Sequence, residues 1–155
     1  MLIPDDLYSQ ILPVMPIPCV DLLVMDDAGS VLLLLRNNEP AAGQWFFPGG
    51  RVHFGEKRLD AAKRKLEAEC GLTSSRFREI GTYDWFFSSG ANGGAHSITT
   101  LFEVHVGSNR DFRLDHQSCE ASWRAPHEWL ELELHPFVRN GLSASIPDGG
   151  PRPTN

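Results

Sequence analysis

Cysteine is scarce in this chain: its three thiols, Cys19, Cys70 and Cys119, stand at no disulfide or metal-ligand spacing. That excludes a disulfide scaffold and a thiolate metal centre, and reads as reduced core residues of a cytoplasmic protein. A basic leader is also missing, since Asp5 and Asp6 occupy the start of the chain, and no apolar run approaches the roughly 20 residues of a membrane helix. Positive charge is in deficit, with 14 Lys and Arg against 20 Asp and Glu. A protein that binds nucleic-acid backbones normally carries a clustered basic surface, so nucleic acid is excluded as a bulk partner, while a small phosphorylated ligand remains compatible. No internal repeat or second domain is visible. The expected organisation is one domain over residues 1–140, with an N-terminal helical segment at 1–16 and a tail rich in Ser, Pro, Gly and Asp at 141–155.

What the sequence does hold is concentrated between Gly50 and Leu72. Gly49 and Gly50 follow Pro48, so the backbone there can take positive φ or pass close to a ligand. A loop runs to about Glu56 and a helix follows, because Leu59, Ala62, Leu66 and Cys70 recur at three- and four-residue steps and form one apolar stripe. Ala61, Ala62 and Ala68 favour the helix, and Gly71 stands where a C′ glycine ends it. On such a helix Glu69 projects near Lys65, one turn earlier, while Glu67 lies about 160° round the cylinder. One carboxylate therefore points at the glycine loop from the last turn.

Gly50, five residues, Glu56, seven residues, Arg64, then Leu66, Glu69, Gly71 and Leu72 resemble the Nudix box, G-x5-E-x7-R-E-U-x-E-E-x-G-U with U aliphatic. Two positions depart from it: Lys65 replaces the glutamate of the R-E pair, and Ala68 the first of the E-E pair. Members of that family use the glutamate cluster to hold two or three magnesium ions on a diphosphate. With one ligand turned into a cation and another removed, a cluster of adjacent divalent ions is disfavoured and a single hard cation remains feasible. The same omissions are similar to those of the GDP-mannose mannosyl hydrolase subgroup, as are the run from Arg36 to Val52 and the triplet Cys19-Val20-Asp21.

The resemblance implies an α/β (α+β) Nudix fold, a mixed β-sheet between helices. It implies a Mg²⁺-dependent hydrolase of a nucleoside diphosphate sugar, GDP-mannose-like, in which water attacks the anomeric carbon and the nucleoside diphosphate leaves. One Mg²⁺ is implied, with Mn²⁺ able to substitute, held by Glu69, the Gly49 carbonyl and the Gln117 side-chain oxygen. Arg36 and Arg51 flank the loop and can make bidentate bonds to phosphate, although an ordinary loop salt bridge also accounts for Arg51. Glu56 and Arg64 pair with each other in the family and are read as braces. The general-base histidine of the subgroup follows its glutamine ligand, but here Ser118 follows Gln117. His116, on the other side of Gln117, is the nearest substitute, although adjacent residues on an extended chain point to opposite sides. A plain surface histidine is the competing reading, and His53 and His96 are further candidates. The subgroup's histidine in the long hairpin corresponds to Trp85.

Along the rest of the chain, Pro4-Asp5-Asp6 opens a short amphipathic helix broken by Pro13, Pro16 and Pro18. It either crosses to a neighbouring subunit, as in the homodimers of the subgroup, or folds back on its own domain. Val20–Met25 and Val31–Leu35 form a hairpin across Asp26–Ser30. Asp21 interrupts the first strand, as a substrate-facing group or as the acceptor of a strand-end hydrogen bond. Phe77–Phe87 and His96–Val106 make a long hairpin whose Ser88–Gly94 tip sits over the site. Cys119–Trp123 is a last strand and Pro126–Val138 a last helix. Trp45, Phe46 and Phe47 are core residues or stack a base ring. Two other functions compete with sugar release: a pyrophosphatase attacking phosphorus, and a binding module without turnover.

Overall fold

The computed structural model describes residues 3–37, 41–87, 94–111, 113 and 118–146. Four helices and seven strands run in the order α1 (Asp5–Ile11), β1 (Ile17–Met25), β2 (Val31–Arg36), β3 (Trp45–Phe46), β4 (Gly49–Arg51), α2 (Arg58–Cys70), β5 (Arg76–Phe87), β6 (Ala95–His105), β7 (Ser118–Arg124), α3 (Pro126–Leu130) and α4 (Pro136–Ala144). The result is a mixed α+β fold with a seven-stranded sheet.

β1 is the axis. It runs parallel to β6 over nine paired positions, Ile17 opposite Ser97 through Met25 opposite His105. Its residues from Val20 to Val24 are buried without a break, as expected where a parallel strand is covered on both faces. On one face Val20, Leu22 and Val24 meet Ala61, Ala62, Leu66 and Cys70 of α2. On the other, Leu23 joins Phe46, Phe47, Trp129, Val138 and Leu142.

The remaining edge of β1 is divided. Val24 and Met25 pair with Leu32 and Val31 of β2, whereas Cys19, Val20 and Asp21 pair with Arg51, Gly50 and Gly49 of β4. The Leu22 amide donates to the Pro48 carbonyl between them. β2 then carries β3 beside β1's departing edge and β7 on its other side. The two halves of the sheet are bridged by the short run from Trp45 to Arg51, which places the glycines of β4 on the central strand.

The last helix differs from its sequence-based expectation. Pro136 disfavours α-conformation in the residue before it, and His135 takes φ −54 and ψ 139. The stretch therefore divides into α3 and α4, with His135 capping the second through Nδ1, which accepts from the Phe137 amide at 3.2 Å. α4 also continues past residue 140 to Ala144, inside the segment expected to be tail. Leu142 is fully buried there, and Gly141 lies where an added Cβ would stand 2.8 Å from the Phe47 ring. Close packing rather than a break explains that glycine. Leu59 departs from the expected stripe too: it shares the angle of Leu66 and Cys70 but stays 40 % exposed in the first turn of α2. Apart from Gly94, the hairpin tip expected at Ser88–Gly94 lies outside the described residues, as do residues 147–155.

Candidate active site

The corner between β4 and α2 is built by two glycines with different reasons for being glycine. A Cβ on Gly49 would collide with the Asp21 carboxyl and the Val20 carbonyl, so the backbone can lie this close to β1 only without a side chain. Gly50 sits at φ +148 with the Lys65 side chain laid over it, and a Cβ there would stand 2.6 Å from Lys65 Cε.

α2 approaches from the other side. It ends at Gly71, which takes φ +65 and donates its N–H to the Glu67 carbonyl. Thirteen residues of helix then leave Glu69 in the last turn, turned inward. Its Oε2 accepts from the Gly49 amide at 3.0 Å, and its Oε1 accepts from Lys65 Nζ at 2.6 Å. The Lys65 and Glu69 side chains are 14 % and 9 % exposed, so the pair is largely withdrawn from water.

Asp21 stands behind this corner, 5 % exposed, with Oδ2 accepting from the Thr99 hydroxyl at 2.6 Å. Burial pushes its carboxyl up to about 7; the Thr99 hydroxyl opposes that, the Glu69 carboxylate reinforces it, and Arg36 and Lys65 oppose it. Asp21 thus feels Glu69, Arg36 and Lys65 together. Its hydrogen bond from Thr99 is made at the middle of β1 rather than at a strand end.

A brace fixes the loop. Arg64 Nε and Nη2 donate to the Glu56 carboxylate at 2.7 and 2.8 Å, and Nη2 also reaches the Arg51 carbonyl at 3.1 Å. The His53 amide donates to Glu56 as well, and the Arg64 guanidinium holds that carboxyl down at about 2. This is the pairing implied by the box resemblance.

The two flanking arginines are held on aromatic rings. The Arg51 guanidinium lies 4.0 Å from the Tyr8 ring centroid, which ties α1 back onto its own chain. Arg36, at a bulge that ends β2, has its guanidinium 6.0 Å from the Phe46 ring. Phe46 and Phe47 are 1 % and 2 % exposed, so neither offers a face to a base; Trp45 packs on Trp129 with centroids 5.0 Å apart. Trp85 belongs to a wall of Phe46, Phe87, His135 and Phe137, and its indole Nε1 is buried without a partner among the described residues.

The structure therefore brings Asp21, Gly49 and Glu69 together, with Arg36 in electrostatic reach and Arg51 next along β4. His116 and Gln117 lie outside the described residues. Of the alternative histidines, His96 bonds Asp84 at 2.9 Å and stacks on Phe86. It is five residues from Leu101, the partner of Asp21, which is about 17 Å along an extended strand. His53 follows Arg51 by two residues, and its imidazole pKa is lowered by burial and by Arg64.

A carboxylate fixed beside a backbone corner is hard-oxygen chemistry. Among the described residues no three His, Cys, Asp or Glu side chains converge as a metal cluster. Sequence reasoning missed Thr99, because a bond between residues 78 apart leaves no local signal. It also missed His135, for which Pro136 was the available clue.

A family profile for the NUDIX domain matches residues 15–144. The chain is 34 % identical over 146 residues to the low-salt glycan biosynthesis protein Agl8 of Haloferax volcanii, covering 92 % of this chain and 90 % of that protein. It is 30 % identical over 119 residues to the oxidized purine nucleoside triphosphate hydrolase of Danio rerio, covering 75 % of this chain and 67 % of the other. Among solved structures, the MutT protein from Methanosarcina mazei Go1 superposes with a TM-score of 0.73 at 25 % identity, covering 85 % of this chain and 94 % of that one.

Proposed function

Starting from the chain's membership of the NUDIX family, whose hydrolases generally use a divalent metal such as Mg²⁺, we propose that it hydrolyses a nucleoside diphosphate sugar, GDP-mannose-like, to free sugar and nucleoside diphosphate. The observation that carries this reading is the Glu69 carboxylate locked between the Gly49 amide and Lys65 at the end of the box helix. The likeness to a glycan biosynthesis protein of Haloferax volcanii supports a sugar-bearing substrate.

In this reading the diphosphate lies along the corner of Gly49 and Gly50, on the side that carries Lys65 and Glu69. Arg36 and Arg51 bind its oxygens, and their positive charge stabilises the departing diphosphate more than the bound ester, which is the condition for lowering the barrier. A single bound Mg²⁺, held by Glu69 with the Gly49 carbonyl and Gln117, would add Lewis-acid stabilisation of the same leaving charge. Asp21 keeps β4 seated on β1 and so positions Gly49 and Glu69. Glu56 and Arg64 hold the loop in register with the helix. Water adds to the anomeric carbon as the bond to the β-phosphate oxygen breaks, and its proton passes to a base for which His116 is the candidate.

Hydrolysis in ¹⁸O-labelled water tests the reading: label in the free sugar supports it. Label in a nucleotide product would instead establish attack at phosphorus, the alternative favoured by the triphosphate hydrolase named among the relatives. Under either outcome Glu69→Gln should lower kcat/KM by about a hundredfold or more. Equal turnover by wild type and variant would remove Glu69 from the site.

A further inference from the structure

Lys65 occupies a position where the box pattern has a glutamate, and its ammonium is not turned to solvent. Nζ lies 2.6 Å from Glu69 Oε1, and the stem is laid over Gly50, with Nζ 2.8 Å from where a Cβ would stand. At 14 % exposure the side chain is confined rather than free to swing. An ammonium has three N–H donors, and among the described residues Glu69 takes one of them. The other two are left beside the bare backbone at Gly50. Lys65 and Arg51 both act electrostatically on the Cys19 thiol, which places their charges at the same part of β1.

We propose that the Lys65 ammonium is a built-in cation of the diphosphate site, standing beside Glu69 in place of a metal ion and donating directly to a phosphate oxygen. The proposal rests on the reading that a diphosphate lies against the glycine corner, and adds which group grips it. Lysine is a compact point charge able to serve a phosphate from one side, as a metal ion does. Its single positive charge also offsets part of the Glu69 carboxylate charge, so that carboxylate binds a divalent ion more weakly and a second such ion beside the first is disfavoured. Lys65 thereby sets both the anion affinity and the metal count of the corner.

Isothermal titration of the full chain with inorganic pyrophosphate, in EDTA and at low salt, tests the first consequence. Wild type should bind, Lys65→Met should bind at least about tenfold more weakly, and Lys65→Arg should recover most of the loss. Manganese binding followed by electron paramagnetic resonance, without any phosphate, tests the second: Lys65→Glu should bind Mn²⁺ about tenfold or more tighter than wild type. That arm decides the matter should Lys65→Met fail to show a cooperative urea transition. Absence of metal-free pyrophosphate binding in wild type, equal binding by folded Lys65→Met, or unchanged Mn²⁺ affinity in Lys65→Glu would each overturn the proposal. None of these measurements depends on which bond is hydrolysed, so ¹⁸O label in the sugar alongside a failed pyrophosphate titration would retain the proposed reaction and discard the role of Lys65.

Discussion

The Asp21 carboxyl is enclosed between the Thr99 hydroxyl and the backbone at Gly49, and burial raises it to about 7 from an ordinary value near 4. Its folded-state pKa lies above its unfolded one, so between these limits the folded chain holds a proton that the unfolded chain has released. Stability from this group therefore falls as pH rises from about 4 to about 7, by at most about 1.4 kcal/mol per pH unit. Urea unfolding in EDTA should show that slope in wild type and lose it in Asp21→Asn; identical slopes would mean Asp21 titrates normally. Glu56 behaves oppositely, since Arg64 depresses it and its stabilising contribution is lost as pH falls from about 4.5 toward about 2. At this scale the sequence announced Glu56, Arg64 and Glu69 through their spacing. It could show Asp21 only as a polar interruption, because the partner that explains it comes from a strand 78 residues away.

Among the elements, β4 is the one whose position depends most on a single atom's absence. Gly49→Ala would drive a methyl group into the Asp21 carboxyl and the Val20 carbonyl, forcing β4 off β1 and carrying the Glu69 contact with it. A loss of about 3 kcal/mol or more is expected by urea unfolding, comparable to severe overpacking. Gly55 makes the contrast: it sits at φ +77 with open space around it, so Gly55→Ala should cost about 1–2 kcal/mol of backbone strain alone. Similar losses in the two variants would contradict the close approach. α2 was legible because periodicity and a terminal glycine coincide there, though periodicity reports angle and not depth, which is why Leu59 misleads. The division between α3 and α4 was written in Pro136 and overlooked in favour of the apolar run across it.

Across the whole molecule, two cores flank β1, and the one opposite α2 is closed by α3 and α4. Trp129 is fully buried and donates its indole N–H to the Val31 carbonyl at 2.9 Å, which pins α3 to β2. Leu142 closes the same core from a part of the chain whose composition resembles a tail. Leu142→Ala should cost about 2–5 kcal/mol by urea unfolding, the range for emptying a buried leucine site. A change near zero would show that residues beyond 140 add nothing to the core. The fold class followed from the resemblance carried by the stretch from Gly50 to Leu72, whereas the parallel pairing of β1 with β6 was not legible, because register between distant strands is decided by the assembled core.

That pairing also governs when the corner can exist. Ile17–Met25 must find Ser97–His105 across some 80 intervening positions before β1 is a stable platform, and such distant contacts form slowly. Gly49 and Glu69, though near each other in the chain, therefore have nothing to seat against until the C-terminal half arrives. A ribosome-bound fragment ending before β6 would already contain every box residue and yet be unable to assemble their geometry.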